Sequence, residues 1–187
     1  MNRLVLFAYF LLLPIISSAD ISIEQLSNIV TSPEYLEGGF SQEKYLSELE
    51  ATLSSSGVFS YQRDSSIRWE TLEPIKNVLM MSPQSIINMQ GGIEIAKMDL
   101  KSNPAVAIFS DIFFSVLTAE WETLSTYFSL SGTLVDEQWQ VELLPVDKSM
   151  TQVMSRVALK GDTLLRELIF YEKNGDRTTI HFENLSQ

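Results

Sequence analysis

The alternation of apolar and polar positions changes rhythm several times along the chain. Leu4–Ile16 is an apolar run interrupted only by Pro14, with Arg3 before it and Ser17-Ser18-Ala19 after it. A positive flank, a short apolar run and small residues at −3 and −1 form the pattern of a cleaved secretory signal over residues 1–19. The run is short for a bilayer span, so an uncleaved anchor is the lesser alternative. Ile23, Leu26, Ile29 and Val30 then fall at helical spacing, with Ser22 and Gln25 placed as a capping box. Pro33 ends this helix, and Gly38-Gly39 opens an extended segment through Phe40, Gln42 and Lys44. Residues 45–53 show no clear period.

From Val58 to Met98 the period is two. Phe59, Tyr61 and Arg63 share one face and Ser60 and Gln62 the other, and Ile67 and Trp69 resume the pattern after a turn at Arg63-Asp64-Ser65-Ser66. Val78–Met81 and Ile86–Met89 are short apolar runs around Ser82-Pro83-Gln84, and Ile93–Met98 follows Gly91-Gly92. The rhythm becomes helical at Asn103-Pro104, an N-cap followed by a first-turn proline. Phe109, Ile112, Phe113 and Val116 lie on one stripe of this helix, and Thr118 is expected to cap a second short helix holding Trp121 and Leu124. Strands return after Tyr127. Trp139, Val141 and Leu143 alternate with Gln140 and Glu142, and Val157 and Leu159 share a face. Asn174-Gly175 is a hairpin signal between Leu164–Glu172 and the strand of Thr178, Ile180 and Phe182. The fold class expected is mainly β with α: a strongly curved antiparallel sheet or incomplete β-barrel covered by helices, one domain over 20–187.

Composition removes functions rather than adding one. The 187 residues include 24 acids against 13 bases, a net charge of −11 that argues against nucleic acid as a partner. Loss of residues 1–19 would remove one Arg and leave −12. The absence of Cys excludes thiolate chemistry, disulfides and acylation of an N-terminal Cys, and a single His, His181, gives no basis for a multi-histidine metal site. No cofactor is expected. Ser54-Ser55-Ser56-Gly57 lacks both a nucleophile elbow and a base and is read as a turn. The double glycines lack the spacing and downstream Lys of a phosphate loop. An enzyme is therefore not expected. A curved sheet with an unusually apolar helix has the parts of a hydrophobic-ligand carrier, in which the helix over 104–117 is either a lid or core.

The run Gly57-x-Phe59-x-Tyr61-x-Arg63-Asp64-x-x-Ile67-x-Trp69-x-x-x-x-Pro74 resembles LolA, the periplasmic carrier of outer-membrane lipoproteins. Its Gly, Arg, aromatic or aliphatic, Trp and Pro spacings all agree with the family pattern. Gly39-Phe40-Ser41-Gln42-Glu43-Lys44, Trp139–Pro145 and Asn174-Gly175-Asp176-Arg177-Thr178 are also similar to family segments. The missing Cys separates the chain from LolB, the lipid-anchored acceptor.

The resemblance implies an incomplete barrel with an apolar cavity for acyl chains. The positions expected to line it are Phe40, Phe59, Tyr61, Ile67, Trp69, Trp139, Val141 and Leu143, with the stripe Phe109, Ile112, Phe113 and Val116 as the lid helix. Arg63 matches the family Arg that hydrogen-bonds lid carbonyls and keeps an empty cavity shut, a role suited to a planar guanidinium. The implied partners are an acylated lipoprotein or other lipid cargo, an inner-membrane donor complex and an outer-membrane acceptor; the implied state is a periplasmic monomer. Three departures mark a divergent branch. Asp64 stands where better-known carriers have Pro, which offers Arg63 a carboxylate environment instead of a lid. Residues 45–54 exceed the usual hairpin connection. The last strand is expected to end near Gln187, without the further C-terminal strand of other members. A scaffold or lipid-sensing module of the same fold, and an amphiphile hydrolase, remain the competing classes.

Overall fold

The computed structural model describes residues 21–102 and 104–187, and the side chains of all of these except residues 104–106, 108 and 109. The expected signal segment, the Asn103 cap and the Phe109 side chain lie outside the described residues.

Helix α1 (Ile23–Ile29) begins with the expected reciprocal cap: Gln25 N–H donates to Ser22 Oγ at 3.2 Å and Ser22 N–H donates to Gln25 Oε1 at 2.8 Å. Six strands follow, β1 (Tyr35–Leu46), β2 (Ala51–Gln62), β3 (Ser66–Glu73), β4 (Asn77–Met81), β5 (Ser85–Gln90) and β6 (Ile93–Asp99). A 3-10 turn (Leu100–Ser102) leads into α2 (Pro104–Thr118) and α3 (Trp121–Tyr127). The chain then forms β7 (Phe128–Val135), β8 (Gln138–Pro145), α4 (Lys148–Val153), β9 (Met154–Gly161), β10 (Leu165–Glu172) and β11 (Arg177–Ser186).

All eleven strands belong to one antiparallel sheet that does not close into a barrel, in the order β6-β5-β4-β3-β2-β1-β11-β10-β9-β8-β7. The edges β6 and β7 are joined in sequence by α2 and α3, so these helices carry the chain from one edge of the sheet to the other. Leu79 on β4 and Met154 on β9 line one cavity although six strand steps separate them, about 29 Å in a flat sheet at ~4.8 Å per step. Only a strongly curled sheet brings them together. Its inner face supplies the core: Phe59, Tyr61, Ile67, Leu143, Val157, Leu159, Leu168 and Phe182 are buried with Ile112, Val116 and Leu117 of α2.

Three expectations are corrected, and one stretch without a reading is assigned. Residues 45–53, without a clear period, are the ends and turn of the long β1–β2 hairpin. Ser54-Ser55-Ser56 is not a turn but lies within β2, opposite Glu43, Gln42 and Ser41; pairing along twelve residues overrides the turn preference of serine. Thr118 does not cap α3. It is the last residue of α2, its Oγ1 donates back to Phe114 O at 3.0 Å, and Glu120 takes the N-cap position without a side-chain bond. The short helix α4, capped by Asp147, interrupts the expected run of strands. At Gly57 a Cβ would stand 1.9 Å from Glu70 O, so the bulge there admits only glycine.

Candidate functional site

The inner face around Trp69 is aromatic. Alternation on β1, β2 and β11 sends Phe40, Phe59 and Phe182 to the same side, and pairing sets Phe59 opposite Trp69. Ring centroids lie 3.9 Å from Trp69 for Phe40, 5.9 Å for Phe59 and 6.2 Å for Phe182. Phe113 of α2 closes over the indole edge-on at 5.7 Å.

Beside this cluster lies a cavity of about 360 Å³. Its apolar walls are Trp69, Leu79 and Met81 on one side, Phe170, Ile180, Val153 and Met154 on the other, and Phe113 above. Val153 stands at 52% exposure, so the cavity is open to solvent on that side. The same end is polar, lined by Gln42, Lys44, Glu172 and Thr178: Glu172 pairs with Met154, and Lys173 N–H donates to Val153 O at 2.9 Å. Strand order explains the grouping: Lys44 on β1 pairs with Thr178 on β11, Thr178 pairs with Phe170 on β10, and Glu172 follows Phe170 on the same face. Lys44 Nζ meets Glu172 Oε1 at 3.1 Å, and both side chains are about one-third exposed, at 37% and 28%.

Among the described side chains, Trp69 and Phe113 are the expected site residues that line this cavity. Phe40 and Phe59 stack behind Trp69. Tyr61 and Ile67 are buried deeper; Tyr61 meets Phe114 edge-on at 6.4 Å, and burial pushes its hydroxyl up to about 12. Ile112 and Val116 belong to the core. Trp139, Val141 and Leu143 do not reach the cavity. They are buried on β8, with Trp139 edge-on to Trp121 of α3 at 5.6 Å and its Nε1–H bonded to Asp162 O. Alternation marks which face a side chain takes, not what fills the space in front of it. Leu79, Met81, Phe170, Ile180 and the polar quartet were missed as cavity residues, although their strand faces were readable.

Arg63 lies in the turn after β2, and Asp64 beside it adopts φ +55. Its Nη2 donates to Ser32 O, to Ser32 Oγ at 2.7 Å and to Pro33 O at 3.2 Å. Nε stands 3.4 Å from Glu34 Oε1, an ion-pair contact without hydrogen-bond geometry. Ser32 Oγ in turn donates to Thr118 O, the carbonyl at the end of α2, at 2.5 Å. One guanidinium thus holds the α1–β1 link, and that link holds the end of α2. The carboxylate expected near Arg63 is Glu34, and it accompanies the carbonyl contacts rather than replacing them.

Among the described residues no group of three or more His, Cys, Asp or Glu side chains is arranged to hold a metal ion, and no helix is long and apolar enough to cross a membrane.

Residues 32–187 match the model of the family described as outer membrane lipoprotein carrier protein LolA. The chain belongs to the LolA family. Its fold is LolA-like, mainly β with an unclosed antiparallel sheet. Similar solved structures include a LolA superfamily protein from Nitrosomonas europaea, with 10% identity over 88% of this chain and 90% of that one and a TM-score of 0.43. The MucA/MucB complex of Pseudomonas aeruginosa aligns at 15% identity over 81% of this chain and 51% of that one, TM-score 0.43. LprF from Mycobacterium bovis aligns at 9% identity over 88% and 89%, TM-score 0.40. At these scores the three carry no argument about ligand or partner. No curated protein matches the sequence significantly.

Proposed function

We propose that this LolA-family protein is a periplasmic carrier that shields an acyl chain of a lipoprotein, or of a related amphiphile, in the cavity beside Trp69 and passes it toward the outer membrane. Membership of a family of outer membrane lipoprotein carriers supports a lipid- or lipoprotein-binding role in the cell envelope. The observation that carries the reading is the cavity itself: apolar walls from both halves of a curled sheet, covered by Phe113 of a helix that connects the sheet's two edges.

Burial of each methylene contributes roughly 0.8 kcal/mol, so a long chain offers on the order of 10 kcal/mol if fully enclosed. A carrier must give most of this back at delivery. Separation of α2 from the sheet on loading would expose Ile112 and Val116 and offset part of the gain, and Arg63, by favouring the closed form, would assist release. Handover would occur between an inner-membrane donor and an outer-membrane acceptor.

Native mass spectrometry of the full chain, expressed in bacteria and recovered from the periplasm, tests this. An acylated species retained at one-to-one stoichiometry is expected; consistent recovery of empty protein from cells rich in lipoproteins overturns it. A non-transporting scaffold of the same fold draws on a different observation, the free edge β6 with exposed Ile93, Ile95 and Met98. That reading predicts empty protein bound to a partner polypeptide.

A further inference from the structure

Two features of the cavity's polar end are unused by a purely apolar shield. First, its ion pair is internally neutralised: Lys44 already meets Glu172 at 3.1 Å. A ligand bringing its own negative charge would therefore face the Glu172 carboxylate and compete with it for one ammonium, on a chain of net charge −11. Second, among the described residues neither Gln42 nor Thr178 gives its side-chain polar group a hydrogen-bond partner, although both line the cavity. Together they offer donors and acceptors without net charge. The volume, about 360 Å³, sits at the low end of the ~300–1,000 Å³ range of small-ligand sites, which suits one chain and not several.

We infer that the cavity binds a single acyl chain through an uncharged amide or ester head seated among Gln42, Lys44, Glu172 and Thr178, and discriminates against free fatty acids and other anionic heads. The inference rests on the cavity being an acyl-chain site. An amide head presents both N–H and C=O, matching a rim that holds both donors and acceptors. N-acylated polypeptide and neutral acylglycerol share the ester or amide carbonyl, and the two sources differ in the N–H.

The test is titration calorimetry of the protein without its first nineteen residues, or of the periplasmically processed chain, against ligands of one chain length. N-hexadecanoyl glycinamide, hexadecanoyl glycerol and hexadecanoate are compared at about pH 8, where the acid is ionised. The amide is expected to bind at one per protein and about tenfold or more tighter than the carboxylate, with the glycerol ester between them. Equal or tighter binding of hexadecanoate, or a stoichiometry of two or more, overturns the inference and leaves the carrier reading standing. Failure of all three to bind overturns both. Charge variants supply opposite signs: Glu172→Gln frees Lys44 and narrows or reverses the preference, whereas Lys44→Gln widens it. Both side chains are part-exposed, so the folded protein is retained, which its thermal transition checks. An unchanged preference in Glu172→Gln also overturns the role of the ion pair.

Discussion

Strands β8–β10 and strands β4–β6 both turn apolar residues toward the core, but their outer faces differ in kind. On β8–β10 the outer face, although it also carries Leu144, Ala158 and Ile169, is held by ion pairs: Arg156 binds Glu142 at 2.5 Å and lies 4.0 Å over the Tyr171 ring, and Lys160 binds Glu167 at 2.8 Å. The inner face is filled, with Leu143, Val157, Leu159 and Leu168 fully buried. On β4–β6 the outer face carries the cross-strand pairs Val78–Met89 and Met80–Ile87, apolar like Leu79, Met81 and Ile86 on the inner face, which also holds the bonded pair Asn77–Asn88 at 2.6 Å. Inner burial stops before the edge: Met81 on β4 and Ile86 on β5 are buried, whereas Met98 on β6, paired with Ile86, is exposed, and Leu79 on β4 is half-buried.

The contrast assigns different physical tasks to the two arms. A filled inner face opposite ion pairs specifies one register and concentrates stability, since the buried and the ion-paired side chains each have a single favourable side. An arm with apolar residues on both faces and a thin inner layer is less constrained, and sites that must open are drawn from such low-stability elements. The cavity forms between the arms, with Leu79 and Met81 from one and Met154 and Phe170 from the other.

The sharpest break of this comparison is Leu159→Ala, expected to destabilise by about 2–5 kcal/mol because a filled core cannot collapse, whereas Leu79→Ala only enlarges an existing space and is expected well below that range. Equal losses in denaturant titration would dissolve the distinction. Arg63→Leu comes next. Removing its bonds to the Ser32 and Pro33 carbonyls is expected to weaken folding by about 1–3 kcal/mol. It should leave cargo accepted but poorly released, and a reconstituted transfer assay with normal delivery would remove Arg63 from the site. Leu79→Trp is expected to lower acyl-chain affinity about tenfold, a change of ~1.4 kcal/mol, with little effect on the denaturation midpoint. Affinity unchanged by a filled cavity would place the chain elsewhere.

The smallest effect concerns the hairpin tips. The Asp176 carboxylate accepts from Ser47 N–H at 2.8 Å and from Ser47 Oγ at 3.1 Å, joining the β1–β2 turn to the β10–β11 turn. These bonds hold its carboxyl below the usual range. A depressed Asp stabilises the fold above its unfolded value, about 3.9, and that contribution is lost as pH falls through the lower folded value. Exchange protection of the Ser47 amide should therefore decline in acid, while Asp176→Asn should show the loss already at neutral pH.

Local patterns were legible wherever one face met water. The Ser22–Gln25 cap, the inner residues of β2 and β3, and the Gly91-Gly92 turn, with φ +59 and +80, are consequences of neighbours in sequence. The β1–β2 hairpin was obscured because Ser54, Ser55 and Ser56 carry no apolar period; their strand state depends on β1. Trp139 and Trp69 sit in similar alternating runs, yet one is covered by Trp121 and the other borders empty space.

The order of apolar and polar residues by itself determined the antiparallel hairpins other than β1–β2, the helical insertion over α2 and α3, and the face taken by side chains in the alternating runs, because period and turn chemistry act over a few residues. Only the tertiary structure decided which apolar positions enclose a space and which fill it, and brought Lys44 to Glu172 across 128 positions of sequence. That outcome depends on how tightly the sheet curls and where α2 comes to rest, both set by packing between residues far apart in the chain.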